Sequence, residues 1–125
     1  MVEDADSPLF KDPVMHSAYY SVPPTKMSFS HEDLVLEKQP KKGKKDATGV
    51  LKGGIKYAKN LRGKIWVGPW PLRGHGEHKY YFMVVALKSQ LGLAGLATKT
   101  EIMKELEKED KILGWGEWVG VAIRE

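Results

Sequence analysis

The chain has 125 residues, of which 42% are hydrophobic. This length corresponds to one domain, and this composition excludes wholesale disorder. The absence of cysteine excludes disulfide scaffolds, cysteine-ligated zinc and thiol nucleophiles. The net charge is only +4, yet residues 38–64 contain ten basic side chains and one acidic side chain, Asp46. No signal peptide is recognisable and no apolar run is long enough to cross a bilayer, so we expect a soluble, cytoplasmic protein without a transmembrane segment.

The first half of the chain predicts few regular elements. Residues 1–13 are rich in turn-forming residues and predict a loop. Residues 14–22 combine β-branched and aromatic side chains and end at Pro23, which predicts a strand. Residues 23–64 predict a long connection with a short strand or turn at 31–36. The basic block, residues 38–64, is expected to be a solvated loop within it.

The second half predicts a β-structure with one helix. Residues 65–67 predict a short strand, and residues 79–88 are apolar on both faces, which predicts a buried central strand. Thr98 and Glu101 are spaced as a capping box for a helix over 98–111. The alternation in 115–123 predicts the last strand. We therefore expect a mainly β, β-rich α+β, antiparallel fold.

A loop rich in glycine and proline precedes the apolar strand. Residues 68–76 contain three glycines and two prolines, and His78 and Tyr80 follow it on one face of the strand. Such a loop, with exposed N–H groups, is a candidate anion cradle, and a plain hairpin connection is the alternative. His16, in the middle of the first predicted strand, is either a structural histidine or a ligand-binding one.

At this point the sequence resembles the phosphatidylethanolamine-binding proteins. The run WVGPWPLRGHGEHKYYFMVVAL resembles their Gly/Pro loop followed by His-Arg-Tyr and an apolar strand, and VEDADSP resembles their acidic N-terminal motif. The ending GWGEWVGVAIRE is most similar to the YbhB/YbcL-like branch, particularly its fungal members. The resemblance implies a β-sandwich and a small surface pocket that binds phosphate-like anions, including phospholipid head groups. The ligand-binding residues it implies are Asp4, Asp6, His16, Gly68, Trp70, Pro71, His78 and Tyr80.

The resemblance also implies strands that this chain lacks. Family members have several strands before the acidic motif, whereas Met1 stands almost directly before it here. We therefore interpret residues 1–125 as a single, N-terminally truncated domain of this type. Sheet surface left without that cover is expected to be exposed and to make the isolated chain marginally stable or self-associating.

The leading functional hypothesis is a non-catalytic binding module without a cofactor or bound metal. The resemblance implies a regulator or inhibitor of a kinase or serine protease as a further role. One alternative is a metal-dependent enzyme that uses His16, His78 and Asp4 or Asp6. Another is a binder of anionic surfaces or nucleic acid through the basic block, although specific nucleic-acid recognition is not expected because aromatic residues are scarce there.

Overall fold

The computed structural model describes residues 1–125. Its strands are β1 (Val2–Asp4), β2 (Val14–Ser17), β3 (Tyr19–Tyr20), β4 (Lys56–Tyr57), β5 (Glu77–Leu87) and β6 (Ile112–Ile123), and its one α-helix is α1 (Lys99–Leu106). Four strands form an antiparallel sheet in the order β2-β1-β5-β6, and β3 pairs with β4 separately. Short 3₁₀ turns lie at His31–Asp33 and Lys52–Gly54. The expected mainly β fold with a single helix is confirmed.

The hairpin of β5 and β6 dominates the main sheet. The two strands pair antiparallel along their whole length, and both are longer than the sequence predicts. Phe82 lies directly opposite Trp118, with 4.8 Å between the ring centroids. Such cross-strand aromatic pairs stabilise a hairpin beyond its hydrogen bonds.

The prediction of a loop over residues 1–13 is wrong at its start. β1 lies between β2 and β5 and forms hydrogen-bonded ladders with both of them. Its sequence, Val-Glu-Asp, has little intrinsic preference for a strand. Pairing on both edges therefore supplies the stability that local propensity lacks, and no local pattern could reveal it.

The prediction of a strand at residues 65–67 is also wrong. The carbonyl oxygens there accept hydrogen bonds from side chains instead of a neighbouring strand: Val67 from the ring of His16 and Ile65 from the hydroxyl of Tyr19. The predicted strand over 14–22 is divided into β2 and β3 at Ala18. β3 ends at Tyr20, because the next residue, Ser21, has a φ of 57°, which is incompatible with continued extension.

The helix begins as predicted but ends early. The Thr98 side chain accepts from the Glu101 N–H and the Glu101 carboxylate accepts from the Thr98 N–H, which completes the capping box. The helix stops at Leu106 because the following residues, Glu-Lys-Glu-Asp-Lys, offer no apolar side chain to bury. Ile102 packs into the main core.

Two apolar clusters lie beside the strands. The larger contains Met15, Ala18, Tyr20, Ala58, Leu91, Ala97 and Ile102, and the smaller contains Leu51, Ile55 and Tyr57. The basic block is therefore not simply a solvated loop, because it supplies four of these buried side chains while its lysines remain mostly exposed.

The β5–β6 hairpin is only partly covered. β5 is an inner strand as predicted, but it is not buried on both faces: Tyr80 is 1% exposed whereas Val84 is 75% exposed. On β6, Trp115 and Trp118 are 72% and 64% exposed. β1 pairs only with Tyr80–Phe82 of β5, and the remainder of the hairpin keeps these large apolar side chains exposed, so the prediction of full burial is wrong.

Candidate functional site

A buried acid–imidazole pair links the two inner strands. Asp4 lies opposite Tyr80 in the β1–β5 ladder, and His78 lies two residues before Tyr80 on the same face of β5. His78 Nδ1 donates to Asp4 Oδ2 at 2.9 Å, and both side chains are almost completely buried. The carboxylate also accepts from the Asp6 N–H at 2.9 Å. Asp4 therefore fixes the orientation of the His78 ring and places the hydrogen on Nδ1.

His75 occupies the other nitrogen of His78. His75 Nδ1 and His78 Nε2 are 3.0 Å apart, and the His75 side chain itself is exposed. Because Asp4 holds the hydrogen on His78 Nδ1, the neutral ring of His78 accepts at Nε2 and His75 donates. Sequence reasoning missed this residue as a site member, although its spacing of three residues from His78 was visible.

His16 reaches the same region from β2. Val2 pairs with Ser17 while Glu3 pairs with Met15, which leaves His16 as the extra residue of a β-bulge. His16 Nδ1 donates to the Val67 carbonyl at 2.8 Å, so the hydrogen of the neutral ring is on Nδ1. Nε2 makes no hydrogen bond within the protein. The ring meets that of Tyr80 edge to face, with centroids 5.2 Å apart.

The Tyr80 hydroxyl is buried without a protein hydrogen-bond partner. Burial and the nearby charge of Asp4 raise the pKa of Tyr80 to about 12, and the backbone N–H of Trp70 offsets part of this effect. The Asp4 and Trp70 groups are therefore close enough to act on the hydroxyl, but neither meets hydrogen-bond geometry. At neutral pH the phenol keeps its hydrogen and is available as a donor.

The Asn60 side chain makes hydrogen bonds that connect the backbone segments around the site. Its amide nitrogen donates to the carbonyls of His16 and Lys64 at 2.9 and 2.7 Å, and its carbonyl accepts from the N–H groups of Arg62 and Lys64. The side chain is buried. Sequence reasoning missed Asn60, although an Asn before Leu-Arg-Gly is a typical start for a side-chain-capped turn.

These groups border a cavity of about 120 Å³. Its lining residues are Asp4, Ser7, Phe10, Val14, Met15, His16, Asn60, Leu61, Arg62, Val67 and Trp70. Apolar and polar residues line it in similar numbers, and Arg62 is the permanently cationic residue among them. A small concave site with a few converging polar groups is the usual form of a small-molecule site.

The predicted site residues do not all reach the cavity. Asp4, His16 and Trp70 line it, and His78 and Tyr80 adjoin it through their contacts with Asp4 and His16. The remaining three lie outside the lining: Asp6 is exposed, Gly68 is half-buried and Pro71 is buried. Asp6 instead accepts from the Lys79 N–H at 2.7 Å, which joins the start of the chain to β5.

Trp70 stands at the rim of the cavity. Its side chain is 62% exposed, and the guanidinium carbon of Arg124 lies 4.0 Å from the centre of its ring. A cation over an indole face is a favourable arrangement that limits movement of the ring. The indole therefore forms one side of the opening.

The three-ligand metal site considered as an alternative is not assembled. No group of three or more His, Asp or Glu side chains is arranged to hold a metal ion. Asp4 already occupies His78 Nδ1, and the Val67 carbonyl occupies His16 Nδ1. No helix of the chain has the length and apolar character needed to span a membrane.

Nearly the whole chain matches one known family. A family model described as phosphatidylethanolamine-binding protein matches residues 1–122. The chain belongs to the phosphatidylethanolamine-binding protein family. The family assignment suggested by the motifs is therefore confirmed, and members of this family are typically non-catalytic binding proteins.

Several curated relatives support the same assignment. Phomoidride biosynthesis cluster protein B of a fungal species is 37% identical over 94% of this chain and 54% of its own length. The protein of the same name in Talaromyces stipitatus is 36% identical over 93% of this chain and 46% of its own. A UPF0098 protein of Pyrococcus abyssi is 33% identical over 99% of this chain and 62% of its own. The chain thus spans about half the length of the fungal relatives, and no solved structure matches it.

Proposed function

We propose that this chain is a non-catalytic binding module that recognises phosphate-type anions or phosphorylated head groups. The observation that carries this proposal is the cavity lined by both His16 and Arg62, beside the buried Asp4–His78 pair and the unpartnered Tyr80 hydroxyl. Imidazole, guanidinium and phenol are the groups that bind phosphate oxygens in proteins.

The charges of the site favour an anion despite Asp4. The Asp4 carboxylate accepts from His78 and from the Asp6 N–H, so its own hydrogen bonds occupy it. Arg62 lines the cavity and carries a permanent positive charge, and the surrounding basic block adds a positive field. The positive charges of Arg62 and the basic block therefore oppose the negative charge of Asp4 at the cavity.

A larger open groove gives room for the rest of a phosphorylated molecule. This groove, of about 530 Å³, shares Phe10, Val14, Met15, Asn60 and Leu61 with the cavity. Lys11 and Lys59 are among its other lining residues. A ligand whose phosphate group lies in the cavity has room for its remaining atoms along these mostly apolar shared residues. This supports phosphorylated head groups over inorganic phosphate as the preferred ligands.

Titration of inorganic phosphate and phosphoethanolamine against the histidine NMR signals tests the proposal. We expect a saturable shift of the His16 ring signals and none of His31, which is exposed on a 3₁₀ turn. Arg62→Ala should weaken binding about tenfold, the usual effect of losing one hydrogen bond to a charged group. Lys45→Ala removes the same charge from the basic block outside the cavity lining and is the matched control.

Two results would overturn the proposal. One is the absence of a saturable His16 shift at millimolar ligand. The other is an equal loss of affinity in Arg62→Ala and Lys45→Ala, which would mean that only the diffuse positive field attracts anions.

Regulation of a kinase or serine protease in the cytoplasm is the finer form of this proposal. The family resemblance supports it, and a pocket for phosphate groups suits a phosphorylated protein partner. Inhibition of a test kinase and of a trypsin-like protease, compared between the unaltered chain and Arg62→Ala, measures whether the pocket takes part. Equal inhibition by both would place any regulatory surface elsewhere.

The basic block gains little support as a nucleic-acid site. Tyr57, its one aromatic residue, is 3% exposed, and its hydroxyl donates to Asp46 at 2.6 Å. It is therefore not available to stack on a base. The exposed lysines remain as a diffuse attraction for anionic surfaces, which added salt would abolish.

A further inference from the structure

Two histidine nitrogens face one another in the loop that leads into β5. His75 Nδ1 and His78 Nε2 are 3.0 Å apart, and no other protein group shares a hydrogen bond with either atom. We propose that His75 and His78 form a two-histidine site for a divalent transition-metal ion of the Zn²⁺ and Cu²⁺ class. The ion would take the place of the hydrogen between the two rings, this hydrogen would move to Nε2 of His75, and water would complete the coordination of the ion.

The separation of the two nitrogens fits a shared ion. Imidazole nitrogens bind Zn²⁺ at about 2.0–2.1 Å. Two such ligands at a square-planar or tetrahedral angle are about 2.9–3.4 Å apart. The observed 3.0 Å lies in this range, so the separation of the nitrogens suits a shared ion. Because Asp4 fixes the His78 ring, His75 must turn its Nδ1 off the axis of the His78 Nε2 lone pair to make room for the ion.

Asp4 supplies the support that histidine ligands usually have. A metal-binding histidine commonly donates its other N–H to a carboxylate, which fixes the ring and increases its basicity. His78 donates Nδ1–H to Asp4 Oδ2 at 2.9 Å, and this leaves the lone pair of Nε2 directed away from Asp4. Both side chains are almost completely buried, so the orientation of this ligand exists before any ion arrives.

His75 provides the adjustable half of the site. It is exposed, and the glycines on either side of it, Gly74 and Gly76, have positive φ values of 70° and 91°. No atom outside the adjacent residues lies within 4 Å of a Cβ built on either glycine, so there is open space beside the loop, although the Gly74 N–H donates to the Arg124 carbonyl. The His75 ring is therefore able to rotate its Nδ1 lone pair towards an ion held at His78.

This inference does not depend on the proposed anion site, although His78 adjoins both. The anion cavity is lined by His16, Arg62 and Asp4, whereas the metal ligands are His75 and His78, which do not line it, so the two sites share only the Asp4 carboxylate. A metal ion and a phosphate can therefore be titrated separately.

Calorimetric titration of Zn²⁺ and Cu²⁺ in phosphate-free buffer tests the metal site, together with Zn²⁺-dependent shifts of the histidine NMR signals. We expect one equivalent of metal to bind, with shifts of His75 and His78. His75→Ala should lower the affinity at least tenfold, since it removes one of two ligands. His31→Ala is the matched control, because it removes an exposed histidine from elsewhere on the chain and should leave the affinity unchanged.

Asp4→Asn adds a readout of the supporting carboxylate. Loss of such a partner typically costs 10–100-fold in metal affinity, so an intermediate loss is expected here. His75→Ala is the decisive variant because the His75 side chain is exposed, so its loss should leave the chain folded. Circular dichroism of the variant checks this. Metal binding that is absent, that is unchanged by His75→Ala, or that falls equally in His31→Ala would overturn the inference.

The phosphate titration distinguishes failure of this inference from failure of the proposed function. His75→Ala should retain phosphate binding, since His75 does not line the anion cavity. Zinc binding without phosphate binding would leave the metal site standing and refute the anion site. Phosphate binding without His75-dependent zinc binding would do the reverse.

Discussion

His16 Nδ1 donates a hydrogen bond to the backbone carbonyl of Val67 at 2.8 Å, and the two residues are 51 positions apart in the sequence. A carbonyl oxygen only accepts hydrogen bonds, so the hydrogen of the neutral ring is fixed on Nδ1. In the neutral ring, Nε2 then carries a lone pair and no hydrogen. An oxyanion can bind there only if it brings a hydrogen of its own or if the ring takes up a proton.

This relationship predicts that sulfate binding is coupled to proton uptake. Sulfate carries no hydrogen at neutral pH, so the proton shared with His16 Nε2 must come from solvent. Calorimetry in buffers of different ionisation enthalpy should show greater proton uptake for sulfate than for phosphate, whose monoanion supplies its own hydrogen. Uptake that is equal for the two anions, or zero for sulfate, would contradict the role given to Nε2.

The prediction has a control in His16→Gln. Glutamine offers an amide N–H donor of its own, so any sulfate that it binds needs no proton. The variant should therefore lose the coupling even if some affinity remains.

Asn60 is predicted to be a structural centre of the site. Its side chain is buried and makes hydrogen bonds to four backbone groups, which are the carbonyls of His16 and Lys64 and the N–H groups of Arg62 and Lys64. Asn60→Ala leaves these groups without partners, and each buried unsatisfied group costs about 1–3 kcal/mol. We expect urea denaturation to show a loss of at least about 2 kcal/mol in the free energy of unfolding, together with weaker phosphate binding.

Gln90→Ala provides the comparison, since it removes an amide side chain that is exposed. It should change the free energy of unfolding by less than about 0.5 kcal/mol. A similar small change for Asn60→Ala would show that the wall of the cavity holds its shape without this side chain.

Asp46 is predicted to make the stability of the basic block depend on pH. Burial tends to raise the pKa of Asp46, but hydrogen bonds from Tyr57, Thr48 and Gly49 outweigh it and hold the pKa below its usual value. A carboxyl whose pKa is lower in the folded state stabilises that state above its unfolded pKa, and this contribution is lost as pH falls through the folded pKa. Tyr57→Phe removes one of the hydrogen bonds and should therefore destabilise the chain at pH 6.

The size of the Tyr57→Phe effect should shrink as the pH is lowered from 6 to 3. The protonated carboxyl is a weaker acceptor, so the unaltered chain loses the same interaction in acid. Chemical denaturation of both chains across this range measures it. An effect of constant size would mean that the hydroxyl acts without the charge of Asp46.

The sequence predicts what depends on local pattern and fails where distant groups decide the structure. The period-two alternation before Ile123 and the capping box at Thr98 reveal β6 and the start of α1 correctly. β1 was missed because its stability comes from ladders with β2 and β5, not from Val-Glu-Asp itself. Residues 65–67 have strand-like side chains, but side-chain donors use their carbonyls and no strand lies beside them.

The same distinction applies to the site. His16, His78 and Asp4 were identified because the motifs carry them, and the structure brings them to one region. The β-bulge that re-aims His16 depends on register between strands, which a single strand's sequence does not contain. His75 acts through its contact with the His78 imidazole, and Asn60 acts through hydrogen bonds to four backbone groups. Only the positions of these two residues in the fold give them these roles.

The exposed hairpin is predicted to govern the behaviour of the isolated chain. Val84 and Trp115 are at least 72% exposed, and β6 is an edge strand of twelve residues with unpaired backbone groups. Leaving a large apolar side chain in water forgoes about 1.5–3 kcal/mol, and a long apolar edge invites pairing with another chain. We expect light scattering to show concentration-dependent self-association, together with binding of a hydrophobic dye.

Trp115→Lys should reduce both the self-association and the dye binding with little change in melting temperature. Trp118→Lys should also lower the melting temperature because it removes the contact with Phe82. Addition of strands that cover this face should raise the melting temperature and reduce dye binding. A monomeric chain with a cooperative melt and no dye binding would show that the hairpin is stable without any cover.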